Sequence, residues 1–351
     1  MDFKQTLSEF KGAIDKELSR FFDAMIAVAD KEDRLLADAL RQTKKIALGG
    51  GKRIRGALVQ CAYFGVGGKE KKKILKVACA IELLHLFFLI HDDVIDRGDL
   101  RHKEKTINKF FFKKATQESE HFGNCMAIIV GDMLFAKANE IILEAGFEKR
   151  ETMAALKNLQ RVVQTTVIGQ TQDISIHARR KISESEVIRM YENKTAQYTF
   201  QGPLQLGAML AGKGDKKTLE ILGKYAIALG IAFQLQDDVL GIFGEEDKTG
   251  KSSVSDIQEG KQSLMVIYAK TKAGAGDRKS LEAISGKRKL TSSEVKKFKD
   301  ILLGTGAKKY ACELADEYLA KGEKEIEKVA LLPKSKSFLL DLAKYLRERE
   351  L

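Results

Sequence analysis

The clearest chemical feature of the sequence is a group of aspartates that follows an apolar run. The run at residues 83–90 leads into His91-Asp92-Asp93-Val94-Ile95-Asp96. On an α-helix, Asp92 and Asp96 lie one turn apart and about 40° apart around the axis, so their carboxylates converge, whereas Asp93 points about 100° away. Clustered carboxylates repel one another unless a cation lies between them. Hard oxygen ligands suit Mg²⁺, which keeps several waters and shares its ligands with phosphate groups. The pattern therefore predicts a magnesium site for a phosphorylated substrate.

A second aspartate pair ends another apolar helix. Asp237 and Asp238 belong to the segment GIAFQLQDDVLG at residues 230–241. Two apolar helices that each end in carboxylates are what a helical bundle needs to hold metal ions between facing walls. We therefore expect the two pairs to face each other.

Basic side chains near both pairs are candidates for binding phosphate oxygens, because arginine forks and lysine point charges are the usual phosphate ligands. The candidates are Lys52 and Arg55 after the glycine turn at 49–51, Arg101 and His102 after the first aspartates, Lys194 in the segment 191–200, and Lys251 and Lys261 on either side of Asp256.

The elements that must position these residues read as helices. Apolar residues recur at spacings of three and four, strand-like alternation is scarce, and only 2 prolines occur in 351 residues. The breaks at glycine clusters are too short for interdomain linkers. We predict an all-α fold with a single domain over residues 1–351, a large helical bundle around a central apolar cavity.

Composition limits the partners. With 44% apolar and 31% charged residues, the chain is typical of a soluble globular protein. The net charge of +12 admits nucleic acid, anionic membranes or anionic substrates, but the lysine-rich stretches lack the interleaved aromatics that stack on bases. We expect no nucleic-acid partner. We also expect no membrane span, because no apolar stretch approaches about 18 residues. The four cysteines lack CxxC spacing, which is typical of reduced thiols in a cytoplasmic protein.

Taken in order, these motifs resemble those of the trans-isoprenyl diphosphate synthases, the polyprenyl synthase family, over nearly the whole chain. They match the family's GGKRxR segment, the first aspartate-rich motif with its following basic pair, the Lys-Thr motif, the FQxxDD motif and the GK…DIxEGK loop. The resemblance implies an isoprenoid synthase fold, a homodimer, and head-to-tail (1'-4) condensation of isopentenyl diphosphate with an allylic diphosphate. The implied product is a short-chain all-trans prenyl diphosphate, formed by Mg²⁺-assisted ionisation.

The resemblance also implies roles for single residues. Asp92, Asp96 and Asp237 bind about three Mg²⁺ ions, with Asp93 and Asp238 in support. The remaining roles are as follows: Arg101, Lys194, Lys251 and Lys261 hold the allylic diphosphate; Lys52, Arg55, His85 and His102 bind isopentenyl diphosphate; Phe233 and Gln234 line the gap between the substrates; Thr195 and the Lys194 carbonyl face the developing cation; Gln170 and Asp173 supply further polar contacts.

Three positions depart from the family pattern. His102 replaces a second arginine and is mostly uncharged at neutral pH, so we expect weaker or more pH-sensitive binding of isopentenyl diphosphate. Gly56 replaces a proline, which we expect to loosen the turn. Gly241 replaces a third aspartate, and we expect reduced redundancy among the metal ligands without loss of activity.

Phe87 and Phe88 precede Asp92 by about one turn, roughly 6 Å of helix rise. Two aromatic residues there resemble the farnesyl (C15) type of the family, in which the rings floor the pocket of the growing chain. We expect a C15 product, with C20 and C10 as alternatives.

Other functions account for fewer of these residues. A helical His-Asp metal phosphohydrolase would use His85 and His91, but these lie about 120° apart on a helix and leave Asp237 and the lysines without a role. A terpene cyclase would share Asp92 and Asp96 but not the basic isopentenyl site. A P-loop is excluded because the spacing from Gly244 to Gly250 is wrong. A non-catalytic regulatory subunit with this fold is the non-enzyme alternative.

Overall fold

The computed structural model describes residues 3–112, 117–179, 182–244 and 254–348. Regular structure in these ranges is almost entirely helical, which confirms the all-α prediction. The α-helices are α1 (Phe3–Glu32), α2 (Arg34–Leu48), α3 (Ile54–Gly65), α4 (Lys71–Ile95), α5 (Ile107–Phe111), α6 (Gln117–Leu143), α7 (Lys149–Ala178), α8 (Glu184–Tyr191), α9 (Gly202–Leu210), α10 (Lys216–Phe243), α11 (Ser255–Gln258), α12 (Leu264–Lys272), α13 (Ala275–Ile284), α14 (Ser292–Gly304), α15 (Ala307–Ile326) and α16 (Pro333–Arg347).

The elements other than α-helices both belong to the candidate site. A π-helix, π1 (Glu192–Gln201), follows α8 directly. Two short antiparallel strands, β1 (Leu100–Arg101) and β2 (Glu104–Lys105), form a hairpin after α4. The turn of the hairpin places His102 and Lys103 in the left-handed region, with φ of 51° and 69°.

Contacts along the chain divide it into two compact units. Unit 1 comprises Met1–Leu156 and Leu206–Lys213, and unit 2 comprises Lys157–Gln205 and Gly214–Leu351. The chain passes from one unit to the other within α7 and within α9. The single domain predicted for residues 1–351 stays a prediction.

In unit 1, α4 is the central helix. It packs against α3 and α6, and its side chains from Ile74 to Leu86 are almost all buried. The N-terminal helix α1 adds a stripe of fully buried residues, including Ile14, Leu18 and Phe22, at the three- and four-residue spacing of an amphipathic helix. This packing fixes the direction of α4 and therefore the place where its acidic end emerges.

In unit 2, α10 has the corresponding position. It packs against α15 and π1, and Asp215 caps its first turn by accepting the N–H of Thr218 at 2.9 Å. The hydroxyl of the fully buried Tyr225 donates to the carbonyl of Leu339 at 2.7 Å, which ties α10 to α16. Beyond the aspartate pair, Val239 and Ile242 join a second apolar cluster formed with α11 to α15.

Among the described residues, α4 and α10 are long and apolar enough, by length and composition alone, to cross a membrane. In both helices 61% of the most apolar window is buried inside the protein. A mostly buried core helix passes the same test of length and composition, so these two helices are weak evidence for a membrane span.

Candidate active site

The first aspartate group lies at the C-terminal end of α4, as predicted. Asp96 is exposed and ends the helix with its N–H donating to the Asp92 carbonyl at 2.7 Å, while the Asp92 side chain is half-buried. Asp93 is only 3% exposed, and its Oδ1 accepts bonds from Arg101 Nη2 at 2.5 Å and Nε at 3.2 Å. The group therefore divides into one buried, ion-paired carboxylate and two that are more accessible.

The same carboxylates keep Arg101 charged. Burial lowers the pKa of Arg101, but the charge of Asp93, its hydrogen bonds and the two flanking aspartates outweigh this and raise the pKa above its usual value. The hairpin thus places a permanent guanidinium beside the predicted metal ligands, where it can stabilise added negative charge.

The basic segment after the glycine turn is organised by Arg53, which is not among the predicted site residues. Arg53 is 6% exposed and left-handed, with φ of 55°. Its Nε donates to Asp15 at 2.6 Å, and its Nη1 lies 3.8 Å from Glu82 Oε2. These buried charges fix the start of α3 and, with it, the predicted phosphate ligands on either side of Arg53.

The predicted effect of Gly56 is wrong, because Gly56 does not lie in a loose turn. It is buried in the first turn of α3, and its N–H donates to Glu82 Oε1 at 2.9 Å. A Cβ at this position would lie 2.7 Å from Ile14 Cδ1 and 3.0 Å from the Ala78 carbonyl oxygen. Glycine therefore permits the close packing of α3, and a proline here would lack the donated N–H.

His102 connects the hairpin to the glycine turn. Its Nδ1 lies 3.0 Å from the carbonyl oxygen of Ile46, at the end of α2, so this nitrogen carries the proton in that hydrogen bond. A Cβ on Gly50 would lie 2.6 Å from Cδ2 of the His102 ring. Because the ring fills this space, Gly50 is required for the hairpin to lie against the turn.

His85 lies among cationic groups on the buried side of α4. Burial, followed by the positive charges of Arg55 and Arg101, lowers the pKa of His85 well below its usual value of 6.5. His85 is therefore neutral at neutral pH, and its ring can donate or accept a hydrogen bond without adding charge.

Phe87 and Phe88 form part of an aromatic wall one turn before Asp92. The Phe87 ring lies 4.8 Å from Phe88, 4.7 Å from His91 and 5.3 Å from Phe135 of α6, measured between ring centroids. The wall therefore includes both α4 and α6, and Phe88 is half-buried within it.

His91 turns toward α6. Its Nε2 lies 3.2 Å from the Ile128 carbonyl oxygen and 3.7 Å from Asp132 Oδ1. The part of the chain that the structure describes contains no group of three or more His, Cys, Asp or Glu side chains that could hold a metal ion by themselves.

The second aspartate pair, in unit 2, divides as the first does. Asp237 is half-buried, whereas Asp238 is 7% exposed and accepts the Tyr191 hydroxyl at Oδ2 and Gln234 Nε2 at Oδ1, the latter at 2.9 Å. Burial raises the pKa of Asp238 to about 7, although the two hydrogen bonds act in the opposite direction. Asp237 is therefore the more accessible carboxylate of this pair.

Tyr191 is a site residue that the sequence motifs do not identify. It is 2% exposed, and its oxygen accepts the N–H of Leu264 at 3.0 Å while its O–H donates to Asp238. Burial and the neighbouring Asp238 charge raise the pKa of Tyr191 well above its usual value of 10, so the hydroxyl keeps its proton. The only hint in the sequence is its position at the start of the Lys-Thr segment.

Lys194 and Thr195 lie on π1, which two glycines allow to pack closely. A Cβ on Gly169 of α7 would lie 2.3 Å from the Lys194 backbone nitrogen, and a Cβ on Gly230 of α10 would lie 2.3 Å from the Ala196 Cβ. π-Helices are rare and frequently lie at functional sites. Here one carries two predicted catalytic residues between two flanking helices.

The side chains on π1 make specific polar contacts. Thr195 Oγ1 donates to Gln234 Oε1 at 2.8 Å, and Lys194 Nζ lies 2.5 Å from Asp173 Oδ2. Gln172, two residues after the predicted Gln170, accepts the Asn193 amide at 3.0 Å. The Phe233 ring meets Phe200 edge to face with 5.7 Å between centroids. Four predicted residues are thus brought together in two pairs, Lys194 with Asp173 and Thr195 with Gln234.

Lys261 and Asp256 form an ion pair beside the second aspartates. Lys261 Nζ lies 2.6 Å from Asp256 Oδ1 and 3.3 Å from Glu259 Oε2. Burial lowers the pKa of Lys261, but these carboxylates outweigh it and raise the pKa well above its usual value. A Cβ on Gly241 would lie 2.0 Å from Asp256 Oδ2, so Asp256 fills the space that a side chain at 241 would need. Lys251 lies outside the described residues.

Comparison with known proteins agrees with the motifs. The polyprenyl synthetase family model matches residues 37–302. A geranylgeranyl diphosphate synthase of Methanosarcina mazei is 32% identical over 320 residues, which cover 91% of this chain and 89% of the relative. A (2E,6E)-farnesyl diphosphate synthase of Mycobacterium tuberculosis is 28% identical over 303 residues, which cover 86% and 80%.

The fold agrees as well. The crystal structure of a geranylgeranyl pyrophosphate synthase from Corynebacterium glutamicum, complexed with isoprenyl diphosphate and magnesium, has a TM-score of 0.91 and 27% identity, and the match covers 100% of both chains. Because the family match extends from α2 into α14 and includes every motif named above, the chain belongs to the polyprenyl synthetase family and is a prenyltransferase with the all-α isoprenoid synthase fold.

Proposed function

We propose that this prenyltransferase condenses isopentenyl diphosphate head to tail (1'-4) with an allylic diphosphate, giving a short-chain all-trans prenyl diphosphate and free diphosphate. The observation that carries the proposal is that the two aspartate pairs are organised alike. The first pair lies at the C-terminal end of α4 and the second lies within the last two turns of α10. In each pair one carboxylate is buried and held, Asp93 by Arg101 and Asp238 by Tyr191 and Gln234. The neighbouring aspartates are more accessible.

Magnesium suits these accessible carboxylates. Asp92 and Asp96 lie one turn apart at the end of α4, and Asp237 lies within the last two turns of α10. Two or fewer carboxylates per site suit an ion that keeps several waters and takes further ligands from a diphosphate. We propose that these carboxylates bind about three Mg²⁺ ions, which would stabilise the charge of the departing diphosphate.

The allylic diphosphate is proposed to lie against cations that are already held in place. Arg101, Lys194 and Lys261 each pair with a carboxylate, so each side chain is ordered and charged before substrate binds. Lys251 is proposed as the fourth cation. Isopentenyl diphosphate is proposed to bind at the start of α3 and the hairpin, to Lys52, Arg55, His85 and His102.

In the reaction proposed, the bond between C1 and oxygen of the allylic substrate breaks, and its electrons leave with diphosphate. The double bond of isopentenyl diphosphate attacks C1 through its C4, and diphosphate removes a proton from its C2. The Thr195 hydroxyl and the Lys194 carbonyl face the allylic cation and stabilise it electrostatically, while Phe233 and Gln234 line the gap between the substrates. Excluding water protects the cation from hydrolysis.

Product length, assembly and location complete the proposal. The aromatic wall around Phe87 and Phe88 favours a C15 product, with C20 and C10 distinguished by chromatography. A homodimer is supported by the large apolar side chains that α6 exposes, including Phe122, Ile128 and Ile129. We also propose that both units act as one domain in a soluble cytoplasmic enzyme.

The test is incubation with Mg²⁺, isopentenyl diphosphate and each allylic diphosphate from C5 to C15, with products resolved by chain length. Asp92→Ala and Asp237→Ala are each expected to lower kcat by at least about a hundredfold, because both remove charge stabilisation of the leaving group. Asp277→Ala is the matched control, since Asp277 is an exposed aspartate in the first turn of α13. Wild-type rates in both site variants, or release of phosphate without a longer prenyl product, would refute the proposal.

A further inference from the structure

We propose that Tyr191 is a positioning residue for prenyl transfer: acting through Asp238 and Gln234, it fixes the direction in which the Thr195 hydroxyl points. The inference rests on the function proposed above and concerns how its cation-facing group is oriented.

The four residues form one continuous chain of hydrogen bonds. The N–H of Leu264 donates to the Tyr191 oxygen at 3.0 Å, and the Tyr191 O–H donates to Asp238 Oδ2. Gln234 Nε2 donates to Asp238 Oδ1 at 2.9 Å, and the Thr195 O–H donates to Gln234 Oε1 at 2.8 Å. The chain therefore runs from the backbone at the start of α12 to the hydroxyl on π1.

The hydrogen bonds of this chain all run in one sense, because the Leu264 N–H fixes the end that lies farthest from Thr195. The Leu264 N–H can only donate, so it uses the acceptor side of the Tyr191 oxygen, and the Tyr191 proton must go to Asp238. When Asp238 is ionised, both of its oxygens accept, and Gln234 must turn its amide nitrogen toward that carboxylate. Its carbonyl oxygen then faces Thr195 and takes the hydroxyl proton.

This direction matters for a reaction that passes through a cation. With its proton donated to Gln234, Thr195 is left with oxygen lone pairs for an electron-poor carbon. A hydroxyl turned the other way would present its hydrogen and destabilise the same cation. Preorganised dipoles of this kind act strongly where water is excluded.

Burial keeps bulk water from Tyr191, Asp238 and Thr195, and Gln234 is half-buried. Tyr191, Asp238 and Thr195 are 2%, 7% and 8% exposed. Removing the Tyr191 hydroxyl therefore leaves Asp238 Oδ2 and the Leu264 N–H without that partner, and no bulk water can fill the gap. The carboxylate is then free to rotate, and the amide of Gln234 loses its fixed orientation.

The test is Tyr191→Phe with Tyr225→Phe as its matched control. Tyr225 is also fully buried on unit 2 and also loses one hydrogen bond, from its hydroxyl to the Leu339 carbonyl, but it has no part in the chain. For Tyr191→Phe we expect kcat to fall about tenfold, which corresponds to one hydrogen bond in the transition state. We expect KM for both diphosphates to change by less than about twofold, because the chain acts on the cation and not on binding. Tyr225→Phe should keep the wild-type kcat.

A double-mutant cycle separates positioning from general damage to the fold. In a Thr195→Val background, Tyr191→Phe should lower kcat by less than about twofold, because the group that it orients is already absent. A further tenfold loss in that background would overturn the inference. So would equal kcat values for Tyr191→Phe and Tyr225→Phe.

Asp238→Asn gives a second route if Tyr191→Phe does not fold. An asparagine that accepts from Tyr191 presents its amide nitrogen to Gln234, which must then flip and release the Thr195 proton. We expect the same loss of kcat at unchanged KM for the allylic substrate, and a wild-type kcat would overturn the inference. If the wild-type protein itself catalyses no prenyl transfer, the proposed function is refuted. This result differs from a wild-type kcat in the variants, which refutes only the positioning role of Tyr191.

Discussion

Replacing Gly241 by aspartate should destabilise the protein, although the family pattern places a third aspartate at this position. A Cβ on Gly241 would lie 2.0 Å from Asp256 Oδ2, so the Asp256 side chain must move. That side chain is 11% exposed, and its other oxygen lies 2.6 Å from Lys261 Nζ. Moving it therefore breaks or distorts a largely buried ion pair.

The size of the effect follows from the added charge. Two like charges roughly 4 Å apart repel by about 4 kcal/mol at an effective dielectric constant of about 20. The Lys261 ammonium, which pairs with Asp256, offsets part of this repulsion. We expect the free energy of unfolding to fall by about 2 kcal/mol, within the range of disrupted buried ion pairs. For a chain of this size, Tm should fall by roughly 3 °C.

Thermal unfolding followed by circular dichroism measures the effect. Gly241→Ala isolates the steric part, and Gly241→Asp combined with Asp256→Ala removes the clash and the repulsion together. The double variant should have nearly the Tm of Asp256→Ala alone. An unchanged Tm for Gly241→Asp, or a higher kcat at limiting Mg²⁺ as expected of an added metal ligand, would refute the reasoning.

Three further changes test other parts of the site. Phe88→Ala should lengthen the main product by at least one isoprene unit, resolved by chromatography, because it removes a ring from the aromatic wall. Gly50→Ala should raise KM for isopentenyl diphosphate several-fold at little cost in kcat, because its Cβ would lie 2.6 Å from the His102 ring and displace the hairpin. The pKa of Glu186 is lowered from 4.5 to about 2, most strongly by a hydrogen bond from the Ser183 backbone N–H. Its folded-state pKa lies below the unfolded value, so its contribution to stability is present above pH 4.5 and is lost as pH falls toward 2, and Glu186→Gln should flatten the dependence of Tm on pH in that window.

The first two of these predictions have a control variant, and all three have a contrary outcome. Phe64→Ala removes a half-buried ring from α3 and should leave product length unchanged; an unaltered product in Phe88→Ala contradicts the wall. Gly12→Ala adds a Cβ that meets no atom within 4 Å, and equal KM values for the two alanine variants would contradict the role of Gly50. If the dependence of Tm on pH is the same in Glu186→Gln as in the wild type, the hydrogen bond between Glu186 and Ser183 at the start of α8 makes no net contribution to stability.

Local patterns were sufficient to predict the helices and the acidic end of α4. The prediction that Asp237 and Asp238 end the second helix is wrong, because α10 continues past them to Phe243. The helical period alone places Asp92 and Asp96 on one face, and α4 does continue to Ile95. This works because spacing within a helix depends on backbone geometry and not on tertiary contacts. The same reasoning correctly separates Asp93 from its neighbours, since its carboxylate turns inward to Arg101.

Residues whose roles depend on distant partners could not be predicted in this way. Arg53 is anchored by Asp15 and Glu82, which lie 38 and 29 positions away in the sequence, and nothing near Arg53 identifies them. Gly56 illustrates the converse error. Its departure from the family pattern reads as a looser turn, but the space around it is set by α1 and α4, so the residue is required for tight packing.

The conformation of π1, which carries Lys194 and Thr195, also depends on distant partners. Lys194 and Thr195 lie in a sequence that reads as an ordinary helix, and the wider winding of π1 is apparent only with its neighbours present. Gly169 and Gly230 lie inside long helices, where glycine is less favourable than alanine by about 1 kcal/mol. Each lies where a Cβ would meet the π1 backbone or side chains at 2.3 Å. A glycine inside a helix is therefore a usable sequence signal of close approach, but the element that approaches is identified only by packing, which is why Thr195 can be selected from its motif while the orientation of its hydroxyl cannot.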